Sequence, residues 1–140
     1  MFDLLLLSHG SLSVELLKTA EMIVGSQGPG VKALAVPPEC GMDELSETIR
    51  KFVADSSPRG GTLILCDILS GSPFLAGTRV FGELGGTVPV EIVTGANLPM
   101  LIEVLNCRES CNLKKAKAIA VAEGTAGIQD FAAKLKGGAR

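Results

Sequence analysis

The chain contains no tryptophan and no tyrosine, and five phenylalanines are its whole aromatic complement. It is also close to neutral, with 13 Lys and Arg against 15 Asp and Glu for a formal charge of −2. Proteins that grip nucleic acid need a basic stripe for the phosphates and aromatic faces for the bases. Neither is present, which excludes nucleic acid as a partner class. No apolar run approaches the roughly 20 residues that cross a bilayer, and no positive region precedes the first apolar run as it would in a signal peptide. A cytoplasmic location is therefore expected.

Metal-ligating residues are equally sparse. There is one histidine, and the four cysteines are Cys40, Cys66, Cys107 and Cys111. With nothing signalling export, free thiols are the expectation. Cys107 and Cys111, four residues apart, make only half of a tetrahedral zinc site, and no metal is expected. Cys66 could serve as a thiol nucleophile, but no basic neighbour is visible to lower its pKa. Neither GxGxxG nor a GK[ST] loop occurs, so no nucleotide cofactor is called for.

What the chain does have is aliphatic bulk and rhythm. Of its 140 residues 46% are hydrophobic, enough for a single domain over 1–140 with a core of Leu, Val, Ile and Ala. Apolar runs alternate with amphipathic stretches at about 30-residue intervals, the size of a βαβ unit. The unbroken run Leu4 to Leu7 reads as a strand covered on both faces. Further strands are expected at Val31 to Val36, Thr62 to Asp67 and Pro89 to Thr94. Helices are expected at about Leu12 to Val24, Met42 to Ala54, Pro73 to Phe81 and Pro99 to Asn106. Ala116 to Ala122 reads as a late strand from Ile119 and Val121, although its alanines suit a helix equally. Thr125 to Leu135 reads as a closing helix, and residues 136–140 as a frayed tail. The expected fold is α/β, a doubly wound and mainly parallel sheet of order 2-1-3-4 with helices on both faces.

The single histidine, His9, falls where the first strand gives way to a loop, and the third strand ends in Cys66-Asp67. In a 2-1-3-4 sheet these strands are neighbours, and ligands bind at the carboxyl edge between them. The topology thus brings Asp67 beside His9. A carboxylate on one ring nitrogen would fix the tautomer and leave the other nitrogen free to attack. Taken alone, a lone histidine is more often structural than catalytic. Next to it, however, Gly71-Ser72-Pro73 has the form of a helix start, with Ser72 as cap, Pro73 as first helical residue and Gly71 allowing close backbone approach. Helix amino termini are anion sites. Nucleophile, orienting carboxylate and anion cradle together suggest phosphoryl transfer to and from His9, a reaction that needs mostly positioning and charge stabilisation.

These same residues carry a family resemblance. His9-Gly10, Leu17-Lys18-Thr19-Ala20-Glu21-Met22, Asp67 with Gly71-Ser72-Pro73-Phe74, and Gly95-Ala96-Asn97-Leu98-Pro99-Met100-Leu101 occur in order over nearly the whole chain. In this the sequence resembles the mannose-type IIA domains of the bacterial phosphoenolpyruvate-dependent sugar phosphotransferase system. The resemblance implies that His9 accepts phosphate from the phosphocarrier protein HPr and passes it to a separate IIB partner, with an indirect link to membrane IIC and IID components. It implies that Asp67 bonds to His9 and that backbone around Ser72 receives the phosphate. It also implies a homodimer in which the late strand, near Lys117 to Val121, is an exchanged antiparallel edge strand. A regulatory module switched by phosphorylation of His9, or a phosphodonor to a dihydroxyacetone kinase, is the alternative.

Overall fold

The computed structural model describes residues 1–137. Its centre is a four-stranded, all-parallel sheet in the order β2-β1-β3-β4, formed by β1 (Asp3–His9), β2 (Val31–Val36), β3 (Thr62–Cys66) and β4 (Val90–Val93). The sequence expectation of a doubly wound sheet in this order is met. Successive strand residues face opposite sides, so an unbroken leucine run feeds two cores at once. Leu4 and Leu6 join Leu63 and Leu65 beneath one helical layer. Leu5 and Leu7 join Ile64 and Cys66 beneath the other.

Helices α1 (Leu12–Val24), α4 (Leu98–Cys107) and α5 (Leu113–Ala126) supply Ala20, Leu101, Val104, Ala116 and Ala120 to the first core. Helices α2 (Met42–Asp55) and α3 (Gly71–Leu84) supply Ile49, Val53, Ala76 and Val80 to the second. The first helix and second strand coincide with the spans read from sequence, and the other early elements differ by one to three residues at their ends.

Two expectations beyond α4 are corrected. The late strand, and with it an antiparallel edge strand over Lys117 to Val121, does not form; these residues lie inside α5. Asn112 starts that helix by accepting the Lys115 amide at 2.9 Å, and alanine is the strongest helix former. Ala116, Ala120 and Gly124 repeat every four residues and line a buried stripe. At Gly124 a Cβ would stand 2.6 Å from Met100 Cε and 3.2 Å from Met100 Cβ, so the glycine lets α5 lie against α4 without displacing that side chain. The closing helix expected over Thr125 to Leu135 is divided. Asp130 accepts the Ala133 amide at 3.0 Å and opens a separate α6 (Phe131–Lys136). Of the tail expected to fray, Lys136 closes α6 and residues 138–140 lie outside the described residues.

Asn97 joins this layer together. Its side-chain oxygen accepts the Met100 amide at 3.0 Å, and its amide donates to the Gly124 carbonyl at 2.9 Å. Asn97→Ala deletes a cap and leaves a carbonyl unpaired, and is expected to lower stability by about 1–3 kcal/mol in urea unfolding. A change within about 0.3 kcal/mol, the scatter of a neutral surface substitution, would reject that role.

Candidate active site

His9 is the last residue of β1, paired with Val36 of β2. Leu7 pairs with Cys66 of β3, and the Asp67 amide donates to the Leu7 carbonyl at 3.1 Å. Parallel register therefore sets Asp67 next to the histidine. Asp67 Oδ2 lies 2.8 Å from His9 Nδ1 and accepts the His9 amide at 2.9 Å, while Oδ1 accepts the Ile68 amide at 2.9 Å. The carboxylate is thus fixed by two amides before it touches the ring. An ionised carboxylate can only accept, so Nδ1 carries the proton and the Nε2 lone pair is left free. The histidine side chain is 50% exposed and that of Asp67 10%. The ring is open to a partner, and its orienter is not.

Partial burial alone would raise the Asp67 carboxyl, but the His9 amide, the His9 ring and the Ile68 amide outweigh it and hold the group below its ordinary value. A carboxyl depressed on folding contributes stability that is complete above the unfolded value, about 3.9, and is lost as pH falls through the folded one. The side-chain carboxyl carbon of Asp67 is accordingly expected to titrate below about 3.9 in a 13C-detected pH series. A midpoint at or above that value would contradict the geometry.

The second half of the site is the start of α3, which begins at Gly71, two residues ahead of the sequence expectation. Ser70, not Ser72, is the capping residue, and no side-chain cap bond forms; Ser72 and Pro73 lie within the first turn. The displacement follows from Gly71. Its φ of +81° turns the chain into the helix, and its α-carbon sits so near the histidine that a Cβ would stand 2.4 Å from Nε2. The amides of Gly71 and Ser72 have no intrahelical acceptor, Pro73 has no amide at all, and no acidic residue occupies the first turn. The positive end of the helix is therefore uncompensated where Nε2 meets it.

His9, Asp67, Gly71 and the first turn holding Ser72 are thus brought to one edge of the sheet. The sequence reading missed the support beneath them. Ser8, buried in the strand, accepts the Ser13 amide at 2.7 Å and so caps α1 in place of Ser11, which makes no side-chain cap bond. Ser13 Oγ in turn donates to the Leu34 carbonyl at 2.8 Å. This network holds the turn that carries His9. Ser8 is the one hydroxyl of β1 and directly follows its leucine run, a position whose meaning its partners alone reveal. Also missed were the exposed apolar residues Leu12, Ile68, Leu69 and Leu75, each within a few positions of a site residue.

The cysteines stand apart from this chemistry. Burial, with Asp67 adding to it, pushes the Cys66 thiol up to about 12, so it stays protonated and cannot act as a nucleophile. Burial and then Cys111 push Cys107 up to about 12 as well. All four are free thiols, and among the described residues no group of three or more His, Cys, Asp or Glu is arranged to hold a metal. No described helix is long and apolar enough to cross a membrane.

Residues 3–121 match the family model described as PTS system fructose IIA component. The chain is 33% identical over 128 residues to the PTS system mannose-specific EIIAB component of Escherichia coli (strain K12), a match over 91% of this chain and 38% of that protein. It thus spans well under half the length of that relative. It is 29% identical over 116 residues to the PTS system fructose-specific EIIA component of Bacillus subtilis (strain 168), covering 81% of this chain and 75% of the relative. The crystal structure of the phosphotransferase system component EIIA from Streptococcus agalactiae superposes with a TM-score of 0.85 over 95% of this chain and 99% of that one, at 22% identity, which speaks for the fold.

Proposed function

The chain belongs to the family of phosphotransferase-system IIA components of the fructose and mannose type, and from that premise we propose that His9 is a phosphoryl relay in sugar uptake. In this reading His9 Nε2 takes phosphate from phospho-HPr and gives it to a IIB partner, which serves membrane IIC and IID components. The observation that carries it is the convergence of two elements on one ring. Asp67 Oδ2 lies 2.8 Å from Nδ1 and accepts its proton, leaving Nε2 as the nucleophile, and Gly71 at the start of α3 closes on Nε2.

Transfer forms an N–P bond at Nε2 as the donor's bond to phosphorus breaks. Positive charge that develops on the ring is stabilised by Asp67, whose charge persists to low pH. The phosphoryl oxygens gain the free amides of Gly71 and Ser72 and the helix dipole. Phosphoryl transfer of this kind needs little more than alignment and charge stabilisation, and this half-exposed site supplies both. Leu12, Ile68, Leu69 and Leu75 offer apolar surface beside the site against which partner proteins can dock.

A homodimer is part of the same reading. Ile128, Phe131 and Leu135 are all strongly exposed on the last described segment, and a second copy would cover them. Exchange of Lys117 to Val121 as an edge strand is not part of this reading, because these residues are helical in α5. Sedimentation equilibrium is expected to return twice the mass of one chain, and a monomer at micromolar concentration would remove the dimer.

The decisive test of the relay is incubation with the phosphoenolpyruvate-driven carrier proteins and mapping of the labelled residue. An acid-labile, alkali-stable phosphate on His9 is the expected result. Label on another residue, or none, would overturn the proposal. Label that reaches His9 but moves to no IIB partner would favour the regulatory alternative.

A further inference from the structure

The edge of the sheet opposite His9 holds a second concentration of polar chemistry. β1 runs from Asp3 to His9, so the two edges lie about 20 Å apart. At the Asp3 end a cavity of about 410 Å3 is lined by Asp3, the Gly28–Gly30 turn, Arg59, Arg108 and Glu109. An adjoining cavity of about 270 Å3 shares Gly28, Arg108 and Glu109.

Arg108 is the unusual member. It is only 7% exposed, and the hydrogen bond its guanidinium makes among the described residues runs from Nη1 to the Phe2 carbonyl at 3.0 Å. Its Nε is buried with no partner. The carboxylate at hand, Asp3, is committed elsewhere, since both of its oxygens accept from Arg59 Nε at 3.0 Å. Asp3 is thus engaged by Arg59, and the other carboxylate of the lining, Glu109, is exposed at the rim; among the described residues Arg108, the more deeply buried of the two arginines, makes no direct ion pair. A charge so placed is costly unless a counter-charge or solvent reaches it. Gly30 bears on the same point. A Cβ there would stand 2.7 Å from Asp3 Oδ1 and 2.8 Å from Arg108 Nη1, so the turn can close over these groups only as bare backbone.

Anchoring the Phe2 carbonyl explains one of the five guanidinium donors but not the charge, because a neutral donor would hold a carbonyl as well. We infer that this cavity binds a small oxyanion, a carboxylate or a phosphate monoester, through the Arg108 guanidinium with Arg59 at its rim. A planar fork of donors matches either group, and the bound anion would supply the missing counter-charge. The site touches none of the atoms of the His9 chemistry.

The test is a 15N NMR titration of the full chain with inorganic phosphate and, separately, with acetate, at constant ionic strength set by chloride. Saturable shifts of the Gly28 and Gly30 amides and of the Arg108 Nε–H are expected in at least one arm, with half-saturation below about 1 mM. The arm that saturates identifies the source. Arg108→Lys keeps the charge but not the fork, and should weaken binding at least about tenfold. Glu109→Gln removes an exposed negative charge from the rim without touching the core, and should tighten binding about two- to fivefold. Drift without saturation in both arms, an adventitious ion only, overturns the inference. So do shifts confined to Gly71 and Ser72, or half-saturation that Glu109→Gln leaves unchanged.

Discussion

His9→Gln is expected to abolish uptake of phosphate from the carrier proteins, with label falling to background, while the protein stays folded. Loss should be complete because the chemistry has no second nucleophile: His9 is the chain's one histidine, and the buried Cys66 thiol, pushed up to about 12, remains protonated. The fold should survive because the side chain is half exposed and Asp67 keeps its two amide donors, those of residue 9 and Ile68, whatever the side chain at position 9. A stability change within about 1 kcal/mol is anticipated from thermal or urea unfolding. Label retained by the folded variant would remove His9 from the mechanism.

Gly71→Ala is the second large effect, and the more informative. Two penalties combine there. A φ of +81° costs an L residue roughly 1–2 kcal/mol, and the new methyl would stand 2.4 Å from His9 Nε2 and 2.6 Å from Cε1. Something must move, and the half-exposed ring is freer than the helix start, which is tied to buried Pro73 and Ala76. Turning the ring breaks its bond to Asp67 and withdraws Nε2 from the free amides. Displacement by about 1 Å can cost on the order of 100-fold in rate, so single-turnover transfer should fall by at least that factor while stability drops by only about 1–2 kcal/mol. Transfer within about threefold of the unmodified protein would show that the close approach of Gly71 to Nε2 is incidental. Because His9→Gln removes the nucleophile and Gly71→Ala only its placement, the pair separates chemistry from positioning.

Each part of the site owes its position to a different range of interaction. Asp67 reaches His9 through strand pairing between residues about sixty positions apart in the chain, and that pairing follows from two aliphatic runs that must be buried on both faces. The helix start is local, set by Gly71 and Pro73. Its two-residue offset from the expected cap shows that a glycine in a left-handed conformation can take over a turn that a serine would otherwise mark. The Ser8–Ser13 network was legible only in hindsight, since a hydroxyl in a strand reads equally as a tolerated polar residue until its partners are known.

Further along the chain, sequence and tertiary structure part company. Ile119 and Val121 between alanines satisfy a strand pattern and a helix pattern alike, and no local rule decides between them. The decision comes from packing, in which Ala116, Ala120 and Gly124 form the buried stripe of α5 and Gly124 lies against Met100 of α4. The buried, partnerless Nε of Arg108 belongs to the same class of fact. In the sequence Arg108 is one of 13 basic residues, and only folding buries it beside a carboxylate already taken by Arg59.

By itself, then, the sequence determined the parallel sheet, its order and the meeting of His9 with Asp67, because burial on two faces and right-handed βαβ connection leave few arrangements open to aliphatic runs spaced in this way. The tertiary structure decided the state of the late segment, the exact start of α3 against the histidine ring, and the burial of Arg108 at the far edge. Those depend on distances of a few ångströms between residues remote in the chain, which no periodicity encodes.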